Sequence, residues 1–221
     1  MPCARRRVDR AFFLPAQEPF LIRGGPGFRS EVANVLELGY RGQPTGQLAV
    51  SATLFHHWVD RLRAGRPAAG GGVEIANGVE GELYGLEAWA TWRASGRWEL
   101  GLGLMLLEQD LRLSEGFTDP NAIADQGNDP GHQAMLRLIR NLPHDQQLFL
   151  LLRHVDELPD PFVAGYTTLD ARWSWRPTAR VELGVRAENL LDERHAEFEP
   201  RAGYAQSVFG RALGADLRVY W

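Results

Sequence analysis

Lysine is absent from this chain, and all 24 basic residues are arginine. We read this as a compositional bias and attach no function to it. It does bear on Gly70-Gly71-Gly72. With no lysine following and no helix predicted, this run is a flexible connection and not a phosphate-cradling loop. Cysteine occurs once, at Cys3, which excludes an internal disulfide and a zinc site of paired cysteines. No run of roughly 18 apolar residues occurs, so no helix is predicted to span a membrane. Excess positive charge is missing too. The formal net charge of -4 leaves no basic footprint for nucleic acid. The N-terminal stretch Met1 to Arg10 is basic, but Pro15 ends Ala11-Phe12-Phe13-Leu14 before an apolar core of roughly 7–15 residues can form. No secretory signal is legible there.

What the chain does contain is alternation. Its last residues, Ala212 to Trp221, place Leu213, Ala215, Leu217, Val219 and Trp221 on one face and Asp216, Arg218 and Tyr220 on the other. The pattern recurs in Trp98, Leu100, Leu102, Leu104 and Leu106 against Arg97, Glu99, Gly101, Gly103 and Met105. It recurs again in Val181, Leu183, Val185 and Ala187 against Arg180, Glu182, Arg186 and Glu188. Leu169, Ala171, Trp173 and Trp175 oppose Asp170, Arg172, Ser174 and Arg176; Leu48, Val50, Ala52 and Leu54 oppose Ala49, Ser51, Thr53 and Phe55. About nine strands are predicted, at 31–42, 46–59, 79–94, 96–113, 131–142, 145–156, 164–176, 179–191 and 207–221. The segment Leu148 to Leu152 is apolar on both faces, which turns Phe149 and Leu151 toward an interior.

The connections alternate as well. Gln43 to Gly46, Ala94 to Gly96, Leu142 to His144 and Arg176 to Thr178 are short, whereas 60–78, 114–130, 157–163 and 192–206 are long and rich in Gly, Pro and charge. Long strands with one apolar face, joined by short turns at one end and long loops at the other, are the pattern of an outer-membrane β-barrel. A charge facing lipid at mid-bilayer costs roughly 2–4 kcal/mol, which confines charge to the inner face. Trp58, Trp92, Trp98, Trp173, Trp175 and Trp221 fall mostly near predicted strand ends, as interfacial aromatic girdles do. If the short turns are periplasmic, the last strand runs downward and Trp221 ends at that interface. Residues 1–30, broken by Pro15, Pro19 and Gly24 to Gly27, read as a loop with one short strand.

Catalytic and metal chemistry finds little support. His56 and His57 are adjacent on a strand, so they point to opposite faces and do not meet on one ion. Asp110, Glu115, Asp119, Asp125 and Asp129 lack the Asp-x-Asp-x-Asp-Gly spacing of a calcium loop. His132, His144, His154 and His195 lie near predicted ends or turns. No Gly-x-Ser-x-Gly elbow or nucleophile–base pair occurs. No enzyme activity, cofactor or metal is expected.

Asn189-Leu190-Leu191-Asp192-Glu193-Arg194-His195, followed by a loop and a last strand ending in an aromatic, resembles the C-terminal end of TonB-dependent outer-membrane receptors. His195 stands where that family usually has tyrosine. Tyr166-Thr167-Thr168-Leu169-Asp170-Ala171 is similar to the segment that opens the family's preceding strand. Ser30 to Arg41, with its Glu37-Leu38-Gly39, is similar to a further family strand. Leu48 to Trp58 and Tyr84-Gly85-Leu86-Glu87 resemble the strands that follow it. The resemblance covers about residues 28–221, and its motif residues are Asn189, Leu190, Leu191, Asp192, Tyr166, Asp170, Glu37, Gly39 and Trp221.

That resemblance implies an all-β, antiparallel up-and-down transmembrane barrel. In the family it has about 22 strands around an N-terminal plug. Nine strands are less than half of one barrel. The expectation is therefore a partial barrel: 1–30 as an external loop of the parent, and 31–221 as the C-terminal part of a longer receptor whose plug, signal and TonB-contacting segment lie elsewhere. The implied location is the outer membrane of a Gram-negative-type bacterium. The implied partners are membrane lipid, the remaining barrel and plug, the barrel-assembly machinery through the C-terminal strand, and TonB only through a more N-terminal region. The implied function is energy-coupled uptake of a scarce ligand such as an iron chelate or cobalamin. Two alternatives stay open on the residues alone: a complete small outer-membrane barrel, structural or a passive pore, and a soluble β-sheet binding protein.

Overall fold

The computed structural model describes residues 13–14, 22–119, 121–198 and 207–221. In chain order these form β1 (Phe13–Leu14), β2 (Ile22–Arg23), β3 (Val32–Thr45), β4 (Leu48–Pro67), β5 (Val73–Ser95), β6 (Trp98–Leu113), a short helix α1 (Ala122–Gly127), β7 (His132–Leu142), β8 (Gln146–Val155), β9 (Leu158–Pro159), β10 (Phe162–Val163), β11 (Tyr166–Thr178), β12 (Val181–Glu188), β13 (Arg194–Ala196), β14 (Val208–Gly210) and β15 (Ala212–Val219). Nine long strands, β3 through β8 with β11, β12 and β15, each pair with the next. They match the nine predicted segments in order.

Local chemistry sets the short turns. Thr45 Oγ1 accepts the amides of Gln47 (3.3 Å) and Leu48 (3.1 Å), Ser95 Oγ that of Arg97 (3.2 Å), and Thr178 Oγ1 that of Arg180 (3.3 Å). A hydroxyl one residue before the reversal thus satisfies amides that no strand can reach. The β7–β8 turn instead places His144 and Asp145 at positive φ, 60° and 53°.

Three predicted assignments are corrected. Residues 1–30 hold two short strands, β1 and β2, which pair with each other, where one was expected. Residues 60–78 are not a long loop: β4 runs to Pro67, β5 starts at Val73, and only 68–72 reverse the chain. Gly70, Gly71 and Gly72, at φ of 91°, 98° and 76°, make that reversal, which L side chains rarely follow. The charges of Asp60, Arg61, Arg63 and Arg66 suggested a loop. A strand surrounded by water can carry charge on either face, so charge there does not mark a strand's end. The last predicted strand is also interrupted, with β14 ending at Gly210 and β15 starting at Ala212.

The residues fall into two compact units. One takes in the described residues up to Glu37 with Phe55–Tyr84 and Glu108–Asn128. Its small core of Ala64, Val79 and Ala122 is covered by Leu62, Leu111, Leu113, Phe117 and Ile123. Among the described residues Val79 is the only side chain fully withdrawn from solvent.

The other unit, Leu38–Leu54, Gly85–Leu107 and Asp129–Trp221, is a continuous wall. Its registers keep one apolar face in step across six strands. Leu100, Leu102 and Leu104 face Leu138, Leu136 and Ala134. Leu138 and Leu136 face Leu150 and Leu152, which face Ala171 and Leu169. Trp173 and Trp175 face Val185 and Leu183, which face Ala215 and Leu217. A one-residue slip at any pair would turn every later leucine to the polar side. Leu102, Val185 and Leu217 on this face are each at least half exposed. A face of exposed leucines continued over six strands marks a surface that meets another apolar medium, protein or lipid.

Candidate functional site at the polar face and long-loop end

The opposite face of the wall carries the charge. Arg172 lies 3.1 Å from Asp216 and 3.6 Å from Glu182; Arg176 and Arg218 reach Glu182 at 2.9 and 3.5 Å. Tyr220 Oη donates to the same Glu182 carboxylate at 3.3 Å. Further along, Glu99 accepts from Arg137 (2.8 Å) and Arg93 (3.1 Å). Glycines make room for these side chains. A Cβ at Gly184 would stand 2.5 Å from Asp216, and one at Gly214 would stand 2.8 Å from Arg186. Near the short turns the face hollows into a concavity of about 490 Å³, lined by Asn141, Gln146, Gln147, Arg172, Arg176 and Glu182 among others. It offers arginine donors, amides and a carboxylate, which suits a polar surface better than an apolar ligand.

The sequence motif assembles at the other end of β11 and β12. Asn189 leaves β12 at φ 53°, a left-handed conformation that asparagine tolerates. Its amide donates to Asp170 Oδ1 at 2.9 Å, and the Leu190 amide donates to the Leu169 carbonyl at 2.9 Å. The Asn189 side chain donates to the Phe209 carbonyl of β14 at 3.2 Å. Asp192 accepts the Arg194 amide at 3.3 Å, and its carbonyl takes Arg211 Nε at 3.1 Å. His195 is buried and stacks on Tyr166, with centroids 4.0 Å apart and planes at 15°. Asn189, Asp170, Tyr166 and Asp192 therefore form one fastening between β11, β12 and the β13–β14 hairpin. Leu190 and Leu191 are exposed.

The remaining motif residues lie elsewhere. Glu37 Oε1 is 3.9 Å from His57. A Cβ at Gly39 would meet only Thr53 Oγ1, at an ordinary 3.7 Å, so nothing steric demands glycine there. Trp221 follows the last strand fully exposed. His56 pairs with Glu82 at 2.7 Å and stacks on Trp58, so the two adjacent histidines do serve different partners. Asp119 accepts the amides of Gly65 (2.7 Å) and Asn121 (3.1 Å), a loop-fixing role. Among the described residues no group of three or more His, Cys, Asp or Glu is placed to hold a metal. Of the predicted long loops, 114–130 carries α1, 157–163 holds the β9–β10 pair, and 199–206 lies outside the described residues.

Glu74 escaped the sequence reading. Residue 74 fell in the presumed loop, yet its side chain is buried and takes Arg23 Nη2 at 3.0 Å and Arg66 Nε at 3.1 Å. The pair spans 51 residues and ties β2, which runs parallel to the start of β5, onto the β4–β5 hairpin. Crossing a bilayer takes about 9–11 residues of a strand, and β5 has 23, so Glu74 at its first turn stands clear of the span. The Arg66 hydrogen bond, reinforced by Arg23 against the opposing effect of burial, holds its carboxyl below the ordinary range. A depressed carboxyl contributes stability that is fully present above its unfolded value, about 4.3, and is lost as pH falls through the lower folded value. Protection factors for hydrogen exchange at Ile22 and Arg23, each taken against the intrinsic rate at that pH, should therefore be high at neutral pH and drop once the medium falls below about pH 4. Glu74→Gln should show the low protection already at pH 7.

The family model for the TonB-dependent receptor-like β-barrel matches residues 8–190. The chain belongs to that family. It is 25% identical to the pesticin receptor of Yersinia enterocolitica over 209 residues, which is 87% of this chain and 29% of that receptor. The chain thus spans less than a third of the curated relatives it matches. Among solved structures, the FrpB iron transporter from Neisseria meningitidis superposes with a TM-score of 0.72 at 15% identity, over 87% of this chain and 32% of that one. The ferric yersiniabactin uptake receptor from Yersinia pestis gives 0.65 at 19%, over 86% and 30%. The ferric-catecholate import receptor from E. coli K12 gives 0.66 at 18%, over 87% and 28%. These likenesses establish the fold and, with the family, an outer-membrane barrel wall.

Proposed function

We propose that the chain forms a C-terminal part of the barrel of a TonB-dependent receptor serving energy-coupled uptake of a scarce ligand, with an iron chelate favoured over cobalamin. The observation that carries this reading is the two-faced wall. Its outward leucines suit lipid, and its inward arginines and carboxylates suit a hydrated lumen or a plug. From Trp98 to Leu106 the apolar face covers about 26 Å of strand at roughly 3.3 Å per residue. With the usual tilt that approaches the apolar band of about 25 Å in outer-membrane barrels. Trp98, Trp173 and Trp175 form the girdle at one rim. The preference for iron rests on the names of the relatives, which are iron-uptake proteins for the most part. Lipid, the rest of the barrel, a plug against the polar face, the assembly machinery at the last strand and TonB through a more N-terminal region are the partners. The short turns are periplasmic, residues 1–30 belong to an external loop, and of the motif residues Asn189, Asp170, Tyr166 and Asp192 act as fasteners. Catalysis has no part in this reading.

Intact cells test it. In a Cys3→Ser background, a membrane-impermeant maleimide should label A69C in the β4–β5 reversal and E157C between β8 and β9, and should label G46C and A179C only after lysis. The same cells should take up a ferric chelate in a manner that needs both this protein and the proton-motive force. Equal labelling of all four sites, or recovery of the protein in the soluble fraction, overturns the proposal.

A further inference from the structure

We propose that Arg140 and Gln146 bind the phosphate of a phospholipid headgroup at the short-turn rim of the leucine face. The site rests on the reading above in one respect, since it needs lipid against that face.

The registers single out Arg140. It pairs with Trp98 of β6 and Leu148 of β8, and Leu136 and Leu138 of its own strand point the same way. It therefore faces outward with the leucines. In the paired registers of β6, β7, β8, β11, β12 and β15, the residues sharing this face are Leu, Ala, Val, Trp, Thr, Gln and His. No other arginine, and no aspartate or glutamate, stands among them. Arg140 is exposed, and no carboxylate among the described residues pairs with it. Its guanidinium lies over the Trp98 ring, 4.4 Å from the centroid, a cation–π distance. That stack holds the group by its flat face and leaves the N–H edge free.

Depth decides what such a charge can meet. An unpaired arginine is costly in mid-bilayer and tolerated near the interface. From Leu136, the partner of Leu102 at mid-face, β7 rises roughly 13 Å to Arg140. The strand ends just beyond, at Leu142. The long stem can then carry the charge to headgroup level while its methylenes stay in the apolar band.

Gln146 supplies the second donor. It pairs with Leu142, so it lies diagonally across from Arg140 on the same face. Its Oε1 accepts the Trp173 indole N–H at 3.0 Å. An indole nitrogen only donates, which fixes the orientation of the amide. Nε2 is left with no partner among the described residues. The row Trp98, Arg140, Leu148, Trp173 thus runs across four strands, with Gln146 one step nearer the turn. It presents N–H donors between two indoles and no acceptor charge. A phosphate supplies the acceptors, and the acyl chains of the same lipid lie along Leu138 and Leu150. One guanidinium balances one phosphodiester. Lipid A, with two phosphates, would leave the second uncompensated on a face with no further arginine.

The experiment uses the chain carried in a barrel that pairs the open edges of β3 and β15, extracted in nonionic detergent. Native mass spectrometry counts the lipids retained. The wild-type barrel should hold one phosphatidylglycerol that Arg140→Gln binds about tenfold more weakly. Gln146→Glu, which puts a carboxylate in the phosphate's place, should lose the same copy. Arg97→Gln makes the same charge change beside Trp98 but on the opposite face, and should match wild type. Diacylglycerol with the same chains should not distinguish wild type from Arg140→Gln. Heat-modifiable mobility confirms that each variant is folded. Equal phosphatidylglycerol retention by wild type and a folded Arg140→Gln overturns the site. So does an equal loss in Arg97→Gln, or an equal difference with diacylglycerol. A larger difference with lipid A overturns the assignment to phospholipid. Recovery of the protein in the soluble fraction would sink the reading itself, whereas a membrane-embedded barrel without the lipid difference sinks only this site.

Discussion

Arginine at Leu136 should keep this protein from assembling in the membrane, while arginine at Met135, its immediate neighbour, should be tolerated. The two positions are matched in everything but direction. They are adjacent on β7 and exposed to the same degree, 44% for Leu136 and 40% for Met135. In a water-soluble sheet both substitutions would be near neutral, since surface changes usually stay within about 0.5 kcal/mol. Leu136, however, stands between Leu102 and Leu152 on the apolar face. Met135 faces Gly103 on one side and Arg153 on the other, on the charged face. An arginine facing lipid near mid-bilayer costs about 2–4 kcal/mol, a large share of the roughly 5–15 kcal/mol by which a domain is stable. Urea titration of the chain carried in a barrel that pairs the open edges of β3 and β15, reconstituted in bilayers, should show that gap between L136R and M135R, and L136R should be depleted from outer membranes. M135R adds a charge beside Arg153, so a small loss of its own is expected. Equal stability of the two variants would mean that lipid is not the solvent of the leucine face.

The contrast also explains which parts of the fold were legible in the sequence. Where lipid covers one side, every second residue must be apolar, and β6 through β8, β11, β12 and β15 announce themselves. Where strands stand in water that constraint lapses, so the far ends of β4 and β5 read as loop. Arg61, at φ 63° inside β4, and Arg63 and Arg66 beyond it gave no hint of a strand. Glu74 was out of reach for a different reason: its burial depends on Arg23, 51 residues earlier, and no local pattern records such a partner. The motif at the end of β12 was legible as a string but not as a geometry. Asn189 and Asp170 proved to be bonded to each other, whereas Glu37 and Gly39, which the sequence reading had grouped with them, meet His57 and Thr53 far along the chain from both. Tyr220 belonged by parity to the charged face, yet only coordinates reveal that it shares Glu182 with three arginines.

Produced as Met1 to Trp221 with nothing added, the chain should fail to yield a heat-modifiable monomer in any outer membrane. Among the described residues β3 pairs with β4 alone and β15 with β12 alone. In an antiparallel strand alternate residues direct both backbone groups to the same edge. The 14 residues of β3 and the 8 of β15 therefore leave about eleven residues' worth of N–H and C=O groups facing outward. Each such group costs several kcal/mol in hydrocarbon, where no water can replace the missing partner. Even with most of them relieved by interfacial water, the sum exceeds the stability of an ordinary domain. The open edges must then find strands: those of a larger barrel, those of a second copy, or those of an aggregate. Gel mobility with and without boiling distinguishes these outcomes. A compact species near 24.7 kDa that unfolds only on heating would mean that β3 and β15 close on each other. In that case the nine strands are a barrel in their own right, and a passive pore becomes the better account of the polar face.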